Sequence, residues 1–179
     1  MILALLAVVQ IGSKAFTESV IVAEMAAQVA RSAGVSAVHR RELGGSRILW
    51  DALLRGQIDA YPEYTGTIAQ ELLPGQGDLR ERVAAKGIVM SRSLGFSDSY
   101  AIGMTRRAAE RLGIRTLEDL ARHPEVRLGF SNEFMDRKDG WPALRAAYRL
   151  PQRNVRGLEH DVAVRALAGR SLRHKSTAS

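Results

Sequence analysis

The residue types best suited to ligand chemistry lie in one stretch, residues 44–67. Pro62 has no backbone N–H to donate and therefore ends the short strand predicted at 58–61. Glu63 and Tyr64 then follow the carboxyl end of that strand, which is where open α/β sheets bind ligands. The stretch is therefore typical of a ligand site. Its two tyrosines can equally be packed in a core or a loop, because aromatic side chains bury well.

A helix predicted at 46–55 must position this loop. Two glycines open the helix, and Gly56 is suited to end it in the left-handed conformation. The apolar residues of the helix recur with a spacing that predicts one stripe docked on a sheet: Ile48, Leu49, Ala52 and Leu53.

The preceding elements complete the pattern of an α/β unit. A buried parallel strand is predicted at 7–12, followed by a helix with Thr17 as its N-cap, and a second strand at 37–43. The apolar stripe predicted for the helix includes Val20, Ile21, Met25 and Val29. Alternating strands and helices predict a parallel sheet with helices on both faces.

The second half of the chain continues in the same way. Strands are predicted at 88–90, 100–105, 126–130 and 155–158, and a polar loop at 131–139. Thr116 to Asp119 has the spacing of a capping box, and Pro142 suits the first position of a helix that runs to Tyr148. A last helix is predicted at 161–167.

Composition excludes several classes of protein. The chain has 179 residues, 46% of them hydrophobic and 25% charged, which is ordinary for a folded globular protein. Its formal charge of +7 comes from basic residues scattered through the predicted helices, which favours a solvated surface over a nucleic-acid-binding face. The absence of cysteine excludes disulfides, Cys-ligated zinc and a thiol nucleophile.

No catalytic or metal-binding pattern is present. The histidines have no HExxH or other metal spacing, and we expect each to lie on the surface: His39, His123, His160 and His174. There is no Gly-x-Ser-x-Gly elbow, and the glycine turn at 44–46 lacks the P-loop lysine. The pairing of Asp59 with Glu63 as an acid and a base is left open by the sequence. We therefore predict that the chain is not an enzyme and needs no cofactor or metal.

Several motifs in order resemble one family. The stretch 44–67 reads GGS, a helix, and then GQIDAYPEYTGT, a pattern similar to the substrate-binding proteins of glycine betaine, choline and carnitine ABC transporters. Segments 11–19, 95–101 and 128–131 are similar to the first strand-to-helix turn, the crossing segment and the start of the second lobe in that family. The resemblance covers roughly residues 10–168.

This resemblance implies an α/β fold of the two-lobed, type II periplasmic-binding-protein kind. We expect a first lobe at 8–102 and a partial second lobe at 103–169. After Gly169 the sequence departs from the family pattern, and 170–179 reads as a basic, disordered tail. A truncated second lobe, with weak or absent ligand affinity, is the expectation that follows. The implied location is periplasmic or at the cell surface, although the apolar residues 1–9 form at best a remnant of a signal peptide.

The resemblance also implies a ligand, partners and site residues. The ligand would be a quaternary ammonium ion, which donates no hydrogen bond and is bound by aromatic faces, and the partners a membrane permease with a separate ATPase subunit. Lys14 either contacts a ligand carboxylate at the helix N-terminus or is simply exposed. Asp98 either faces the cation or caps a turn. The implied site residues are Tyr64, Tyr100 and Phe134 as the aromatic cage, Tyr61 as a weaker member, and Lys14, Thr17, Thr65, Thr67 and Asp98 as polar contacts.

Two rival functions remain at this point. One is a remnant of such a protein that binds nothing. The other is a basic nucleic-acid-binding module, which requires the arginines on one face and binding that weakens steeply with salt.

Overall fold

A computed structural model describes residues 8–173 of the chain. The chain divides into two compact units, one through Asp98 and one from Ser99 onward, called unit 1 and unit 2 below. The lobe limits predicted from the sequence, 8–102 and 103–169, remain predictions. No helix among the described residues is both long enough and apolar enough to cross a membrane.

Unit 1 is built on a βαβ motif. Strands β1 and β2 pair in parallel, with Val9 opposite Ala37 and Gly12 opposite Arg40, and α1 connects them. The parallel pairing predicted from the order of elements is confirmed. In chain order the elements are β1 (Val9–Gly12), α1 (Thr17–Ser32), β2 (Ala37–Arg40), α2 (Ser46–Leu54), α3 (Thr65–Thr67), a π-helix (Ile68–Leu72) and α4 (Leu79–Ala84).

The strand predicted at 58–61 is reduced to one parallel bridge, between Ile11 and Ala60. Gln10 donates its N–H to the Asp59 carboxylate at 2.6 Å, so a side chain takes a position that a backbone carbonyl would hold in a ladder. Gly12 still donates to the Ala60 carbonyl at 2.8 Å, which keeps the start of the candidate loop beside β1. The prediction of strands at 88–90 and 100–105 is wrong, because the structure has no strand at these residues.

Helix α1 buries a different face from the one predicted. Its buried residues are Ser19, Ala23 and Ala27, whereas the larger Ile21, Met25 and Val29 are exposed. The small side chains allow close packing on β1 and β2, and Ala23 and Ala27 form a cluster with Ile11 and Ala37. Helical spacing alone did not distinguish these two faces.

Two further details of the helices correct the sequence analysis. Thr17 is the first residue of α1 and not its cap, since Phe16 holds the N-cap position without a side-chain hydrogen bond. In α2, Leu49 and Trp50 are buried while Ile48 is 56% exposed, so the buried face is rotated from the predicted stripe. Gly56 has the expected left-handed φ of 67°.

Unit 2 contains a second parallel pair, β3 with β4, in which Leu128 lies opposite Val155 and Ser131 opposite Leu158. The described core is a cluster of Ile114, Leu120, Phe134, Trp141 and Leu150. The elements are α5 (Arg106–Leu112), α6 (Leu117–Leu120), β3 (Leu128–Ser131), α7 (Asn132–Asp136), α8 (Trp141–Tyr148), β4 (Val155–Leu158) and α9 (His160–Arg173).

The predicted signals at helix ends in unit 2 are confirmed in two places. Thr116 and Asp119 form the reciprocal capping box at the start of α6, and Pro142 lies in the first turn of α8. The polar loop predicted at 131–139 is wrong in part, because the Ser131 hydroxyl accepts the Phe134 N–H and begins α7 there. Helix α9 extends to Arg173, and residues 174–179 of the predicted tail lie outside the described residues.

Candidate functional site

Lys14 follows β1 and is buried, with 3% of its surface exposed. Its ammonium donates to Glu63 Oε1 at 2.7 Å and to Ser46 Oγ at 3.2 Å. The Glu63 side chain is only 5% exposed, so this is an ion pair inside the protein. Burying an unpaired ammonium would be costly, and the carboxylate offsets that cost. The alternative of an exposed Lys14 is therefore wrong.

Tyr64 lies against the same ion pair. The Lys14 ammonium is 5.2 Å from the centre of the Tyr64 ring, and the Tyr64 N–H donates to Glu63 Oε1 at 2.9 Å. The Phe96 ring meets Tyr64 edge to face at 6.0 Å between centroids. Unit 1 thus gathers an aromatic pair, one ammonium and one carboxylate in a partly buried environment.

The protonation of Tyr64 reflects these surroundings. Burial, followed by the negative charges of Glu18 and Asp98, raises the pKa of Tyr64 to about 12. A hydrogen bond with the Asp98 side chain contributes in the same direction. Asp98 therefore acts on the Tyr64 phenol. The sequence analysis considered only that Asp98 faces the ligand cation or caps a turn.

The turn between β1 and α1 uses its own backbone donors. Gly12 donates to the Ala60 carbonyl at 2.8 Å, Ser13 to the Arg40 carbonyl at 3.0 Å, and Ala15 to the Gly44 carbonyl at 3.1 Å. The Lys14 N–H donates to Ser19 Oγ at 2.9 Å. These four N–H groups are already engaged within the chain. Thr17 at the start of α1 is exposed, and Lys14 and Thr17 both stay predicted ligand contacts.

The remaining polar candidates of unit 1 differ in exposure. Thr65 and Thr67 are the first and last residues of the single-turn helix α3, where Thr65 is exposed and Thr67 is buried. Tyr61 is partly buried. Their position next to Glu63 and Tyr64 keeps them as predicted contacts.

In unit 2 two predicted aromatic residues come together. Tyr100 packs on Phe134 with 4.8 Å between ring centroids, and Phe134 packs on Phe130 at 5.1 Å. Phe134 is 6% exposed and belongs to the core, whereas Tyr100 is 58% exposed. The buried Phe134 thus packs against the Tyr100 ring, and Tyr100 is the exposed member of the pair.

Arg137 is a residue that the sequence analysis missed. It is 7% exposed, donates to both carboxylate oxygens of Asp139 at 2.8 and 2.6 Å, and places its guanidinium 5.7 Å from the centre of the Tyr100 ring. Hydrogen bonding to Arg137 lowers the pKa of Asp139. Residues two apart do not face each other on a helix, so no spacing rule predicts this pair.

Each unit therefore places a protein cation over the ring of one predicted tyrosine: Lys14 over Tyr64, and Arg137 over Tyr100. Both cations are buried and paired with a carboxylate. Within the described residues, no group of histidine, aspartate and glutamate side chains has the arrangement of a metal site.

His39 also corrects the sequence analysis, which placed every histidine on the surface. Its side chain is 3% exposed, and its ring nitrogens contact Glu24 and Ser13. His174 lies outside the described residues.

Comparison with known proteins gives consistent matches. The family described as OpuAC, the substrate binding domain of ABC-type glycine betaine transport systems, matches residues 7–176. The glycine betaine-binding protein YehZ of Escherichia coli (strain K12) is 29% identical over 157 residues, which are 78% of this chain and 51% of that protein. The ergothioneine transport permease/ergothioneine binding protein EgtU of Helicobacter pylori (strain G27) is 29% identical over 127 residues, 65% of this chain and 23% of that protein.

A solved structure supports the same fold. The crystal structure of a glycine betaine/carnitine/choline ABC transporter protein superposes with a TM-score of 0.62 at 24% identity, over 91% of this chain and 65% of that one. This likeness confirms the predicted fold of the periplasmic-binding-protein kind. The chain spans about half the length of the Escherichia coli relative.

Proposed function

Because the chain belongs to the family of substrate-binding domains of ABC-type glycine betaine transport systems, we propose that it captures a quaternary-ammonium osmoprotectant for an ABC importer. Glycine betaine, choline and carnitine are the ligands that we propose. The observation that carries this proposal is the pair of tyrosines, Tyr64 and Tyr100. The negative charges of Glu18, Asp98 and Glu63 act on Tyr64, and Tyr100 is 58% exposed.

The chemistry of the ligand fits aromatic side chains. A trimethylammonium group spreads its charge over methyl groups and donates no hydrogen bond, so cation–π attraction and apolar contact must bind it. Each aromatic face contributes about 0.5–2 kcal/mol. We propose Tyr64, Tyr100 and Phe134 as the principal aromatic contacts, with Phe134 holding the Tyr100 ring at 4.8 Å, and Tyr61 as a weaker member.

Polar contacts would select among such ligands. Glycine betaine and carnitine carry a carboxylate, and the basic group that we propose for it is the Lys14 ammonium, 5.2 Å from the centre of the Tyr64 ring. Thr17, Thr65 and Thr67 supply hydroxyl groups close to the same loop in sequence, and Asp98 adds a negative charge that acts on Tyr64. Since one relative is named for glycine betaine and another for ergothioneine, the ligand panel should contain both.

The partners and location follow from the same proposal. The chain would deliver its ligand to a membrane permease driven by a separate ATPase subunit, and it would work in the periplasm or at the cell surface. Its role would be binding without catalysis, cofactor or nucleic acid.

The experiment is calorimetric titration of the chain and three variants with the ligand panel. Tyr64→Ala and Tyr100→Ala each remove one face and should weaken binding by roughly tenfold, about 1–2 kcal/mol. Tyr64→Phe is the matched control, because it keeps the ring and loses only the hydroxyl, and it should bind within about twofold of the parent chain. Unchanged affinity in both alanine variants would refute the aromatic assignment.

The same titration, extended to an oligonucleotide at several salt concentrations, decides the rival functions. A remnant that binds nothing predicts no heat with any ligand of the panel. A nucleic-acid-binding module predicts oligonucleotide binding that falls steeply as salt rises.

A further inference from the structure

A chain of hydrogen bonds runs from the surface of unit 1 to the turn that carries Lys14. His39 Nδ1 lies 3.0 Å from Glu24 Oε2, and His39 Nε2 lies 2.9 Å from Ser13 Oγ. Ser13 Oγ also accepts the Glu42 N–H at 3.1 Å. Glu24 is partly exposed, whereas His39 is 3% exposed and Ser13 is fully buried. These hydrogen bonds thus connect α1, β2, the end of β1 and the loop after β2.

The donors and acceptors of this chain are fixed by its two ends. Hydrogen bonds from His39 and Arg31 lower the pKa of Glu24, so its carboxylate is ionised and can only accept. His39 Nδ1 is therefore the donor to Glu24, and in the neutral ring Nε2 must accept the Ser13 hydroxyl hydrogen. The Ser13 oxygen then accepts from Glu42, so the buried hydroxyl is satisfied as donor and as acceptor.

The order of groups is that of a serine, histidine and acid triad, but the serine is not available as a nucleophile. Ser13 has no exposed surface, and its oxygen already accepts a backbone N–H. A nucleophile must reach a substrate atom. These hydrogen bonds therefore hold the structure in place and do not activate a nucleophile.

The loop after β2, which these hydrogen bonds hold, contains a strained residue and leads to Ser46, which contacts Lys14. Glu42 has a φ of 54°, a left-handed conformation that is uncommon for a residue other than glycine. Ser13 bonds the loop twice, through its side chain to the Glu42 N–H and through its carbonyl to the Leu43 N–H at 3.0 Å. The loop then brings Ser46 Oγ to the Lys14 ammonium.

We propose that His39 and Ser13 are positioning residues: through the loop 41–45 they set the orientation of the Lys14 ammonium beside Tyr64, and thereby the affinity for the ligand. The affinity part of this proposal rests on the proposed function. The positioning part concerns the protein without ligand and can be measured by itself.

The test compares His39→Gln with His39→Asn. The glutamine amide reaches the place of Nε2 and keeps an acceptor for Ser13, whereas the asparagine amide reaches only the place of Nδ1 and keeps the bond to Glu24. Amide hydrogen exchange at Glu42 and Leu43 should rise roughly tenfold more in the asparagine variant. Ligand affinity should fall about tenfold with asparagine and about twofold with glutamine. His123→Asn, in unit 2, is the control and should change neither quantity.

Nitrogen NMR of His39 in the parent chain gives a second measurement. We expect the neutral ring to carry its proton on Nδ1. Equal exchange in the glutamine and asparagine variants, or a proton on Nε2 in the neutral ring, would overturn the proposal. If the parent chain binds no ligand of the panel, the proposed function fails, and the exchange and NMR results still decide whether His39 positions the loop.

Discussion

The buried pair of Lys14 and Glu63 allows a quantitative prediction about stability. Lys14→Met removes the ammonium but keeps an apolar side chain of similar length, and so strands the Glu63 carboxylate with 5% exposure. Glu63→Gln strands the ammonium while keeping an oxygen that can accept the Tyr64 N–H. Breaking a buried ion pair by removing one partner costs about 3–5 kcal/mol. This is a large part of the roughly 5–15 kcal/mol by which a domain is stable.

The double variant separates charge from packing. Lys14→Met with Glu63→Gln buries no charge at all, and replacing a buried pair by neutral groups is often close to neutral. We expect the free energy of unfolding of the double variant to lie within about 1 kcal/mol of the parent value. This loss is far smaller than the sum of the losses in the two single variants.

The assay is urea unfolding at neutral pH followed by tryptophan fluorescence. The chain has two tryptophans, Trp50 in unit 1 and Trp141 in unit 2, so the Trp141→Phe background makes the signal report on unit 1. Trp50 is 5% exposed and should shift its emission on unfolding. Losses below about 1 kcal/mol in both single variants, or additive losses in the double variant, would refute the ion-pair argument.

Three further predictions concern ionisation, packing and capping. Because the pKa of Tyr64 is raised to about 12, from about 10 in an unfolded chain, its contribution to stability is present below about pH 10 and is lost as the pH rises toward 12. A pH titration of phenolate absorbance with Tyr64→Phe as the reference checks this, and ionisation near pH 10 would contradict it. Leu49→Ala should cost about 2–5 kcal/mol in urea unfolding, and Ile48→Ala, at a site 56% exposed, less than about 0.5 kcal/mol; equal losses would contradict the assigned buried face. Thr116→Ala removes the cap of α6 and should lower the free energy of unfolding by about 0.5–2 kcal/mol, whereas an unchanged midpoint would show that the cap contributes nothing.

The motifs anticipated the family and the fold of this chain, and the matches confirm both. The capping box at Thr116, the start of α8 at Pro142 and the left-handed Gly56 were also predicted correctly. Each of these signals is local, because it depends on residues within one turn of each other. Tertiary packing has little power to change them.

The errors have tertiary causes. The spacing in α1 fits two faces, and the sheet selects the one with Ala23 and Ala27 because small side chains allow close approach. The Asp59 side chain takes a ladder position beside β1, which no periodicity reveals. Lys14 is buried because Glu63, far away in sequence, supplies the opposite charge.

We propose that the chain recognises a quaternary ammonium through its charge. The most direct measurement is calorimetric titration of the parent chain with each ligand of the panel beside its isostere, in which a neutral tert-butyl group of the same shape replaces the trimethylammonium group. We predict binding of at least one quaternary ammonium, about tenfold or more tighter than its isostere, because cation–π attraction requires the charge. Equal affinity for ligand and isostere, or no binding of any ligand, would contradict the claim.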